Sequence, residues 1–540
     1  MSTTPHRAPG MHRPPLRGEP SGLKPALPAG PRRALPAGLR RAIPAGLRGM
    51  LAAVSLLAAP GTQAHAQLPG LGENLCGTNR AAIWIADTSR AAAYLNQFDL
   101  QFARGPWLIG ARLEYDEEGR LDLERSSGLR RRFAEYRGTH ADLRVGTFYA
   151  TFGRGLLLRA EEDETVRLDR DLDGARGAIH WRSLAAQAVI GRPRQDESPY
   201  RRDDVLSGLD VRMALLPALT VGAGYVRRDA SHTEKEIEAG ISLEDSLPWG
   251  EPVEELVGGN LRWSRGIFEG VLEGAQRYVW GMRDNQEGWV GVSEEKGHAL
   301  YGAMTFTLPG YAWLIEGKHY RKFDAPYSTL PPANSAGQPV NDGRDERGLG
   351  IALTANQDDD LYESAWSWAA AQDEPGERLS AEGSVRRDWW GRGALKLGAE
   401  WVWEHELESH ALRCYSGPRA EATYYLTPAT SLEMHGRFYA WTNEVRGSER
   451  QFYNEATLDL TLSVGYARGA TLSFIHATDP VAEYDHEDNW VSLELAWSFS
   501  DSHNLKVKFG QERGGIVCSG GVCHYEPPFT GVRAEITSRL

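Results

Sequence analysis

The chain has 540 residues, of which 41% are hydrophobic and 25% are charged, and its formal net charge is −13. The first 66 residues hold nine Lys or Arg and one Asp or Glu, so the rest of the chain has a net charge of −21. An acidic chain without a basic stripe argues against a nucleic-acid partner. Four cysteines are too few for a disulfide scaffold.

Residues 1–66 have the pattern of an export leader. Residues 1–49 are basic and contain an octad repeat with a Pro in each copy, which forbids a stable helix. Met50–Ala59 is an apolar run of signal-peptide length, and Ala64-His65-Ala66 has the small-x-small pattern of a cleavage site. We therefore predict a basic Pro/Gly-rich leader plus a secretory signal peptide, with a mature chain that begins at Gln67.

Residues 67–108 are interpreted as a short N-terminal segment on the periplasmic side. Ala91–Leu95 is compatible with a short helix. The stretch is too short for the globular plug of an energised nutrient transporter.

From residue 109 to residue 540, apolar and polar residues alternate in run after run. Ala456–Tyr466 is the clearest case, because every second residue is apolar. In a strand this pattern makes one apolar face and one polar face. The runs have roughly the 9–11 residues that a tilted strand needs to cross a bilayer. We predict an all-β fold, a transmembrane antiparallel up-and-down β-barrel of about 22 strands, with a range of about 18 to 24.

The connections give a second, independent signal. Tight turns such as Leu216-Pro217-Ala218 and Leu308-Pro309-Gly310 alternate with long, charged connections such as 229–253 and 325–344. Transmembrane barrels have short periplasmic turns and longer external loops. A soluble sandwich, which one amphipathic strand alone would also fit, gives no such alternation. Aromatic residues beside the tight turns, such as Trp313, are expected to form an interfacial girdle.

Two segments resemble a large, poorly characterised group of porin-like bacterial outer-membrane barrels. One contains Gly153-Arg154-Gly155-Leu156 and Leu172-Asp173-Gly174. The other is the last strand, which resembles the carboxy-terminal strand that the barrel-assembly machinery recognises, although it ends in Leu540 and not in an aromatic residue. The resemblance implies a barrel in the bacterial outer membrane, in contact with the lipid bilayer and lipopolysaccharide. It names no transported molecule.

Charged side chains recur on the polar faces of the strands. Unpaired charges in a dry interior are very costly, so they indicate a water-filled lumen or a dense set of ion pairs. The residues predicted to face the lumen are Glu400, Glu433, Arg437, Asp459, Glu494, Lys506 and Lys508.

The most unusual segment is Gly153–Gly177. It is expected either to fold into the barrel and narrow the pore or to be an ordinary charged external loop. In the first case the constriction consists of Arg154, Arg159, Glu161, Glu162, Asp163, Glu164 and Arg167. Because 161–164 is acidic and a constriction focuses the electric field, the sequence predicts a mild cation preference.

The same segment contains the first half of an EF-hand calcium loop. The three candidate ligands are Asp169, Asp171 and Asp173. The twelfth position is His180, where the pattern requires a bidentate Glu. A solvated acidic turn is therefore favoured over a calcium site, and no cofactor is predicted.

Cys518 and Cys523 lie in one connection with flexible glycines between them. An exported chain meets an oxidising environment, so a local disulfide is predicted. A zinc site is less favoured, because no second Cys or His pair accompanies the two cysteines.

The sequence shows no nucleophile signature, phosphate loop or metal-binding His pair, so no enzyme activity is predicted. The favoured function is a porin-like channel for small hydrophilic solutes or ions. A non-conducting surface or structural barrel and an envelope barrel enzyme stay open as alternatives.

Overall fold

The computed structural model describes residues 74–86, 92–116, 127–163, 168–194, 204–229, 250–284, 289–323, 325, 327–328, 331, 345–357, 359–372, 376–389, 391–405, 411–445, 450–478, 489–519, 522–526 and 528–539. All of them belong to the unit Gln67–Leu540. The predicted leader, the signal peptide and the start at Gln67 lie outside the described residues.

The strands are β1 (Leu75–Ala86), β2 (Ala92–Arg104), β3 (Trp107–Asp116), β4 (Ser127–Arg137), β5 (Ala141–Phe148), β6 (Ala150–Phe152), β7 (Leu158–Ala160), β8 (Glu162–Asp163), β9 (Leu168–Asp169), β10 (Leu172–Trp181), β11 (Leu184–Pro193), β12 (Val205–Leu216), β13 (Leu219–Asp229), β14 (Gly250–Arg265), β15 (Phe268–Asp284), β16 (Trp289–Leu308), β17 (Tyr311–Arg321), β18 (Glu346–Gln357), β19 (Asp360–Ala371), β20 (Glu377–Trp389), β21 (Gly393–His405), β22 (Ala411–Thr427), β23 (Thr430–Val445), β24 (Gln451–Val464), β25 (Arg468–Ala477), β26 (Asn489–Ser500), β27 (His503–Glu512), β28 (Gly515–Ser519), β29 (Val522–Glu526) and β30 (Phe529–Arg539).

Twenty-four of these strands form one closed antiparallel barrel. Each barrel strand pairs with the next barrel strand along the chain, and β30 pairs with both β27 and β1 to close the ring. The up-and-down barrel predicted from the alternation is confirmed, and its strand number lies at the upper end of the predicted range. The other six strands form three small hairpins, β6/β7, β8/β9 and β28/β29.

The barrel begins earlier than the sequence indicated. The interpretation of 67–108 as a segment outside the barrel is wrong for its described part, because β1 and β2 pair with each other and belong to the ring. The proposed helix at Ala91–Leu95 is also wrong, since β2 begins at Ala92. An Ala-rich start favours a helix only locally, whereas eleven residue pairs with β1 hold it extended.

The outer wall is apolar along the whole ring. In β24, for example, Leu458 and Leu462 are exposed on the outside, whereas Asp459 and Thr461 belong to the alternate, inward face. Exposed Leu, Val, Phe and Trp side chains continue this surface on the neighbouring strands. An apolar surface of this extent on the outside of a barrel is far larger than the patches that water-exposed proteins carry.

The two rims of the barrel differ, as predicted. At one rim, here called the short-turn rim, the connections have two or three residues. At the other, the long-loop rim, every connection is longer, and the two chain ends of the barrel, Leu75 and Arg539, lie at the short-turn rim. Exposed aromatic residues mark the short-turn rim: Trp107, Tyr136, Trp181, Trp263, Tyr311, Trp313, Trp389, Tyr424, Tyr425 and Tyr466.

The hairpin β28/β29 lies in the last connection of the long-loop rim. Its register places Cys518 directly opposite Cys523. The side chains of these two residues lie outside the described part of the structure, so the predicted disulfide remains a prediction.

Candidate functional site in the lumen

The described residues of the connection between β5 and β10, 149–163 and 168–171, fold into the barrel and are here called the inserted segment. Its apolar side chains lie against glycines of the inner wall. A Cβ at Gly208 would lie 2.7 Å from the ring of Phe152, and one at Gly224 would lie 2.6 Å from a methyl group of Leu157. Phe152 and Leu157 are buried because these two wall positions carry no side chain. Of the two expectations for this stretch, the inward fold is the one the structure shows.

Beneath the inserted segment the inner wall carries a continuous apolar patch, and the part of the wall that holds this patch is here called the covered sector. It runs from β11 to β17 and packs with Phe148, Phe152 and Leu156–Leu158 in one buried cluster. Its inward residues are Val189, Leu206, Val226, Leu256, Ala275, Ala299, Tyr301 and Tyr320. At these positions both faces of the barrel wall are apolar, since one face meets the inserted segment, whereas other inward positions of the same sector carry buried charges such as Asp210, Glu254 and Glu273.

Polar contacts fix the position of the segment on the covered sector. Glu273 on β15 accepts hydrogen bonds from the backbone N–H groups of Arg154, at 2.6 Å, and Leu156, at 3.2 Å. Gly153 allows this approach, because it has a φ of +59° and a Cβ would lie 2.6 Å from the Glu273 carboxylate. The N–H of Arg159 donates to the carbonyl of Tyr327 at 2.5 Å. The tip of the inserted segment is therefore held by backbone bonds as well as by packing.

The returning half of the segment contacts another part of the ring, β3 and β4. Glu162 accepts hydrogen bonds from Arg112 at 2.9 Å and from Arg131 at 2.6 Å. Burial alone would raise the pKa of Glu162, but the hydrogen bonds from Arg131 and the charges of both arginines lower it. Asp169 accepts from Arg131 at 2.8 Å and from the hydroxyl of Tyr149 at 2.7 Å. Glu162 is therefore ionised, and both carboxylates are paired with arginine.

The three aspartates of the calcium-like pattern are not brought together as a ligand set. Each faces a different arginine: Asp169 faces Arg131, Asp171 lies 3.7 Å from Arg194, and Asp173 lies 3.3 Å from Arg132. Among the described residues, no cluster of three His, Cys, Asp or Glu side chains has a spacing that could hold a metal ion. The favoured alternative, a solvated acidic turn, also needs correction, because Asp171 is only 1% exposed.

The other side of the lumen contains a cavity of about 820 Å³. Its wall is formed by β1–β5, β26, β27 and β30, here called the charged sector, and Tyr149 of the inserted segment lies at its edge. Glu494, Lys506 and Lys508, three of the predicted lumen-facing residues, line this cavity.

The other predicted lumen-facing residues also lie on the inner wall, outside the cavity. Glu400 accepts hydrogen bonds from the hydroxyls of Tyr415 and Tyr439, at 3.0 and 2.7 Å. Arg437 pairs with Glu455 at 3.4 Å. Glu433 and Asp459 belong to the same inward faces of β23 and β24.

The predicted constriction residues do not form one cluster, because they contact different partners. Glu161 pairs with Arg159 at 2.7 Å, and Glu162 pairs with Arg112 and Arg131 of the wall. Arg154 lies over the ring of Tyr301, 5.3 Å from its centroid. Glu164 and Arg167 lie outside the described residues, and Asp163 also has a polar partner. Arginines pair with Glu161 and Glu162, two of the acids on which the predicted cation preference depends, and the preference itself remains a prediction.

Several charged residues of the cavity were missed from the sequence. They are Arg80, Asp99, Arg112, Arg131 and Arg144, all on β1–β5. A signal was present, since Gln97, Asp99 and Gln101 alternate with Phe98, Leu100 and Phe102 on β2. Arg80 and Asp99 lie in the stretch interpreted as a segment ahead of the barrel, whereas Arg112, Arg131 and Arg144 lie within the predicted barrel, on strands for which no lumen-facing residues are predicted.

The chain belongs to a protein family of unknown function, DUF6029, whose model matches residues 78–341 and 419–540. Both segments on which the resemblance to porin-like barrels rests lie within the matched ranges. No curated protein matches the sequence. Among the described residues, no helix has the length and apolar character needed to span a membrane.

Solved structures of large barrels are similar to this chain at low sequence identity. The siderophore receptor PirA from Pseudomonas aeruginosa matches at 8% identity with a TM-score of 0.43, over 86% of this chain and 80% of the receptor. The outer membrane protein opdK from the same species matches at 11% identity and a TM-score of 0.35, over 65% of this chain and 98% of that protein. The translocation pore of the P pilus usher PapC matches at 11% identity and a TM-score of 0.39, over 86% and 99%.

Proposed function

We propose that the chain is an outer-membrane barrel that passes small hydrophilic solutes or ions through the charged sector of its lumen. The observation that carries the proposal is the contrast between the two faces of the wall. The outside is apolar around the ring, whereas the inside retains a charged cavity of about 820 Å³. A ring of 24 strands is also wider than the 16–18-stranded porins that leave an aqueous channel.

The outer wall supports a bilayer as the surrounding medium. Exposed apolar side chains fill the middle of the strands, and exposed aromatic residues mark the short-turn rim. Amphipathic rings prefer the membrane–water interface, and barrels of the outer membrane carry such girdles. The proposal therefore includes lipid and lipopolysaccharide on the outside, with the short-turn rim in the periplasm. The last strand, β30, is proposed to be the segment that the barrel-assembly machinery recognises.

The inserted segment is proposed to narrow the channel. It is attached at Glu273 on one side of the ring and at Arg112 and Arg131 on the other. A segment held at both ends lies across part of the lumen and leaves the charged sector as the path for solutes. Under this proposal no residue of the lumen has a catalytic role.

Conductance in planar bilayers tests this proposal. We expect stepwise conductance from the refolded barrel and a larger single-channel conductance when residues 150–163 are replaced by a short Gly-Ser linker. Heat-modifiable gel migration shows whether each variant has folded. A folded wild-type barrel that conducts no ions would contradict the proposal, as would a folded linker variant with unchanged conductance.

A non-conducting structural barrel is the second candidate. The observation that favours it is the buried cluster between the inserted segment and the covered sector, in which Phe152, Leu156 and Leu158 are fully buried. Absence of conductance in both the wild-type barrel and the linker variant is the result that would favour this candidate.

A further inference from the structure

We propose that the lumen cavity is a binding site for small anions that carry carboxylate or phosphate groups, centred on Lys506, Lys508 and Arg533 of β27 and β30. The passage of such anions rests on the proposed channel function, whereas their binding does not. The inference reverses the cation preference expected from the sequence.

The charge of the cavity is opposite to that of the chain. Eight Lys or Arg side chains and four Asp or Glu side chains line the cavity, whereas the whole chain has a net charge of −13. Low-dielectric walls focus the field of such a cluster, so the excess of positive charge acts strongly on a solute inside. The cavity therefore concentrates anions even though the chain is acidic.

Two positively charged side chains that line the cavity lack a carboxylate partner. Among the described residues, neither Lys506 nor Arg533 forms a salt bridge, although both line the cavity. The guanidinium of Arg533 lies 5.3 Å from the ring centroid of Trp84, which holds it against the wall. An Arg fork held in this way is preorganised for bidentate bonds to a carboxylate or phosphate.

The register of β27 and β30 places two positive charges opposite each other. Lys508 is the direct cross-strand partner of Arg533, and Lys506 is the partner of Glu535. Like charges directly opposite on one face of a sheet destabilise the pair. Glu535 already pairs with Arg80 at 3.1 Å, and Lys508 pairs with Glu512. The wall therefore compensates Lys508, which also faces Glu494 on β26, but offers Arg533 no salt bridge among the described residues, so an anion between the two strands would pair with Arg533 and reduce the repulsion.

A second excess of positive charge lies where β4 and β5 form the wall of the cavity. Arg137, Arg144 and Arg176 share the single carboxylate of Glu135, at 3.1, 3.5 and 3.4 Å. One carboxylate cannot neutralise three guanidinium groups. Because Arg137 and Arg144 also line the cavity, the site has positive charge on two sides.

The size of the cavity suits a small organic anion. Its volume of about 820 Å³ lies within the roughly 300–1,000 Å³ of small-molecule sites. A multivalent anion is attracted by both groups of basic residues, whereas a small cation would meet an excess of positive charge. The chemical class is therefore a hydrophilic solute with one or more carboxylate or phosphate groups.

Binding of citrate and of inorganic phosphate tests the site directly. Isothermal titration of the refolded full-length mature barrel at low salt should show binding of citrate. The double variant Lys506→Gln/Arg533→Gln should bind citrate about tenfold more weakly or worse, because each lost charge-assisted hydrogen bond is worth about that factor. The matched control Lys396→Gln/Arg437→Gln removes two positive charges from the lumen wall outside the cavity and should leave the affinity unchanged.

The outcomes separate the anion site from the channel. Citrate binding that depends on Lys506 and Arg533 in a barrel that does not conduct would support the site and contradict the channel. Conductance with cation preference and no citrate or phosphate binding would overturn the site and leave the channel standing. Equal weakening in the control variant, or full affinity in the Lys506/Arg533 variant, would also overturn the site.

Discussion

The covered sector and the charged sector of the lumen share one wall architecture but carry opposite inward residues. In the covered sector, positions such as Val226 and Leu256 are apolar and positions such as Gly208 have no side chain, because the inserted segment packs there. In the charged sector, inward positions such as Lys508 and Arg533 carry charge and line the cavity, with no segment of the described residues packed over them. The residue types on the inward face of a barrel strand therefore depend on what packs against that face, whereas the outward face is apolar in both sectors.

The largest expected effect comes from removing the main side chain that docks the inserted segment. Phe152 is fully buried over Gly208, so Phe152→Ala should weaken docking by about 3–5 kcal/mol. The exposed neighbour Thr151 provides the matched control, Thr151→Ala. Limited proteolysis within 153–163 should become faster in the first variant only. Equal cleavage rates in the two variants would show that the segment is not held by this packing.

The next effect separates the outward face from the inward face on one strand. Leu460 faces outward between Met434 and Leu472, whereas Thr461 faces inward and shares a hydrogen bond with Thr471 at 2.9 Å. Leu460→Arg should destabilise the barrel by about 2–4 kcal/mol if it lies near the bilayer midplane. Thr461→Arg should cost less, because its charge reaches the lumen. Urea titrations in lipid vesicles measure both, and equal costs would mean that the facing is wrong.

The sequence predicted the outward face well, for a physical reason. Lipid imposes the same requirement on every strand, so Ala456–Tyr466 and its equivalents show a clear period of two. Tight turns are similarly local, and those at Leu216-Pro217-Ala218 and Leu308-Pro309-Gly310 are confirmed. The same alternation predicted that Lys506 and Lys508 face the lumen.

The apolar patch of the covered sector could not be predicted, because the alternation is lost at its inward positions. On β11, Val189 faces the lumen and Ile190 faces outward, so both faces are apolar. The strands within the inserted segment have two or three residues, too few for a periodic signal, and their partners are distant in sequence. The proposed anion site could not be predicted for a related reason. The pairing of β27 and β30 places Lys508 opposite Arg533, although the hairpin β28/β29 separates the two strands in the sequence.

The smallest expected effect concerns the pH dependence of the inserted segment. Burial, together with the neighbouring carboxylate of Asp169, raises the pKa of Asp171 above its ordinary value. The folded state therefore favours the protonated form. This contribution to stability is full below about pH 4, where the unfolded Asp is also protonated, and is lost as the pH rises through the folded pKa.

Asp171→Asn removes the ionisable group from this site. The variant and the wild-type barrel should have similar stability near pH 4, and the variant should become relatively more stable as the pH rises to 8. Urea unfolding at several pH values measures the difference. A difference that is constant with pH would show that Asp171 does not titrate abnormally.

The contrast between the two sectors is tested most directly by the water accessibility of their inward positions. In a background with all four cysteines replaced by Ser, Val226→Cys reports on the covered sector and Thr537→Cys on the cavity. A charged, membrane-impermeant maleimide should label Thr537→Cys rapidly and Val226→Cys slowly, and replacing 150–163 by a Gly-Ser linker should make Val226→Cys reactive. Rapid labelling of Val226→Cys in the intact barrel, at the rate of Thr537→Cys, would contradict the docking of the inserted segment.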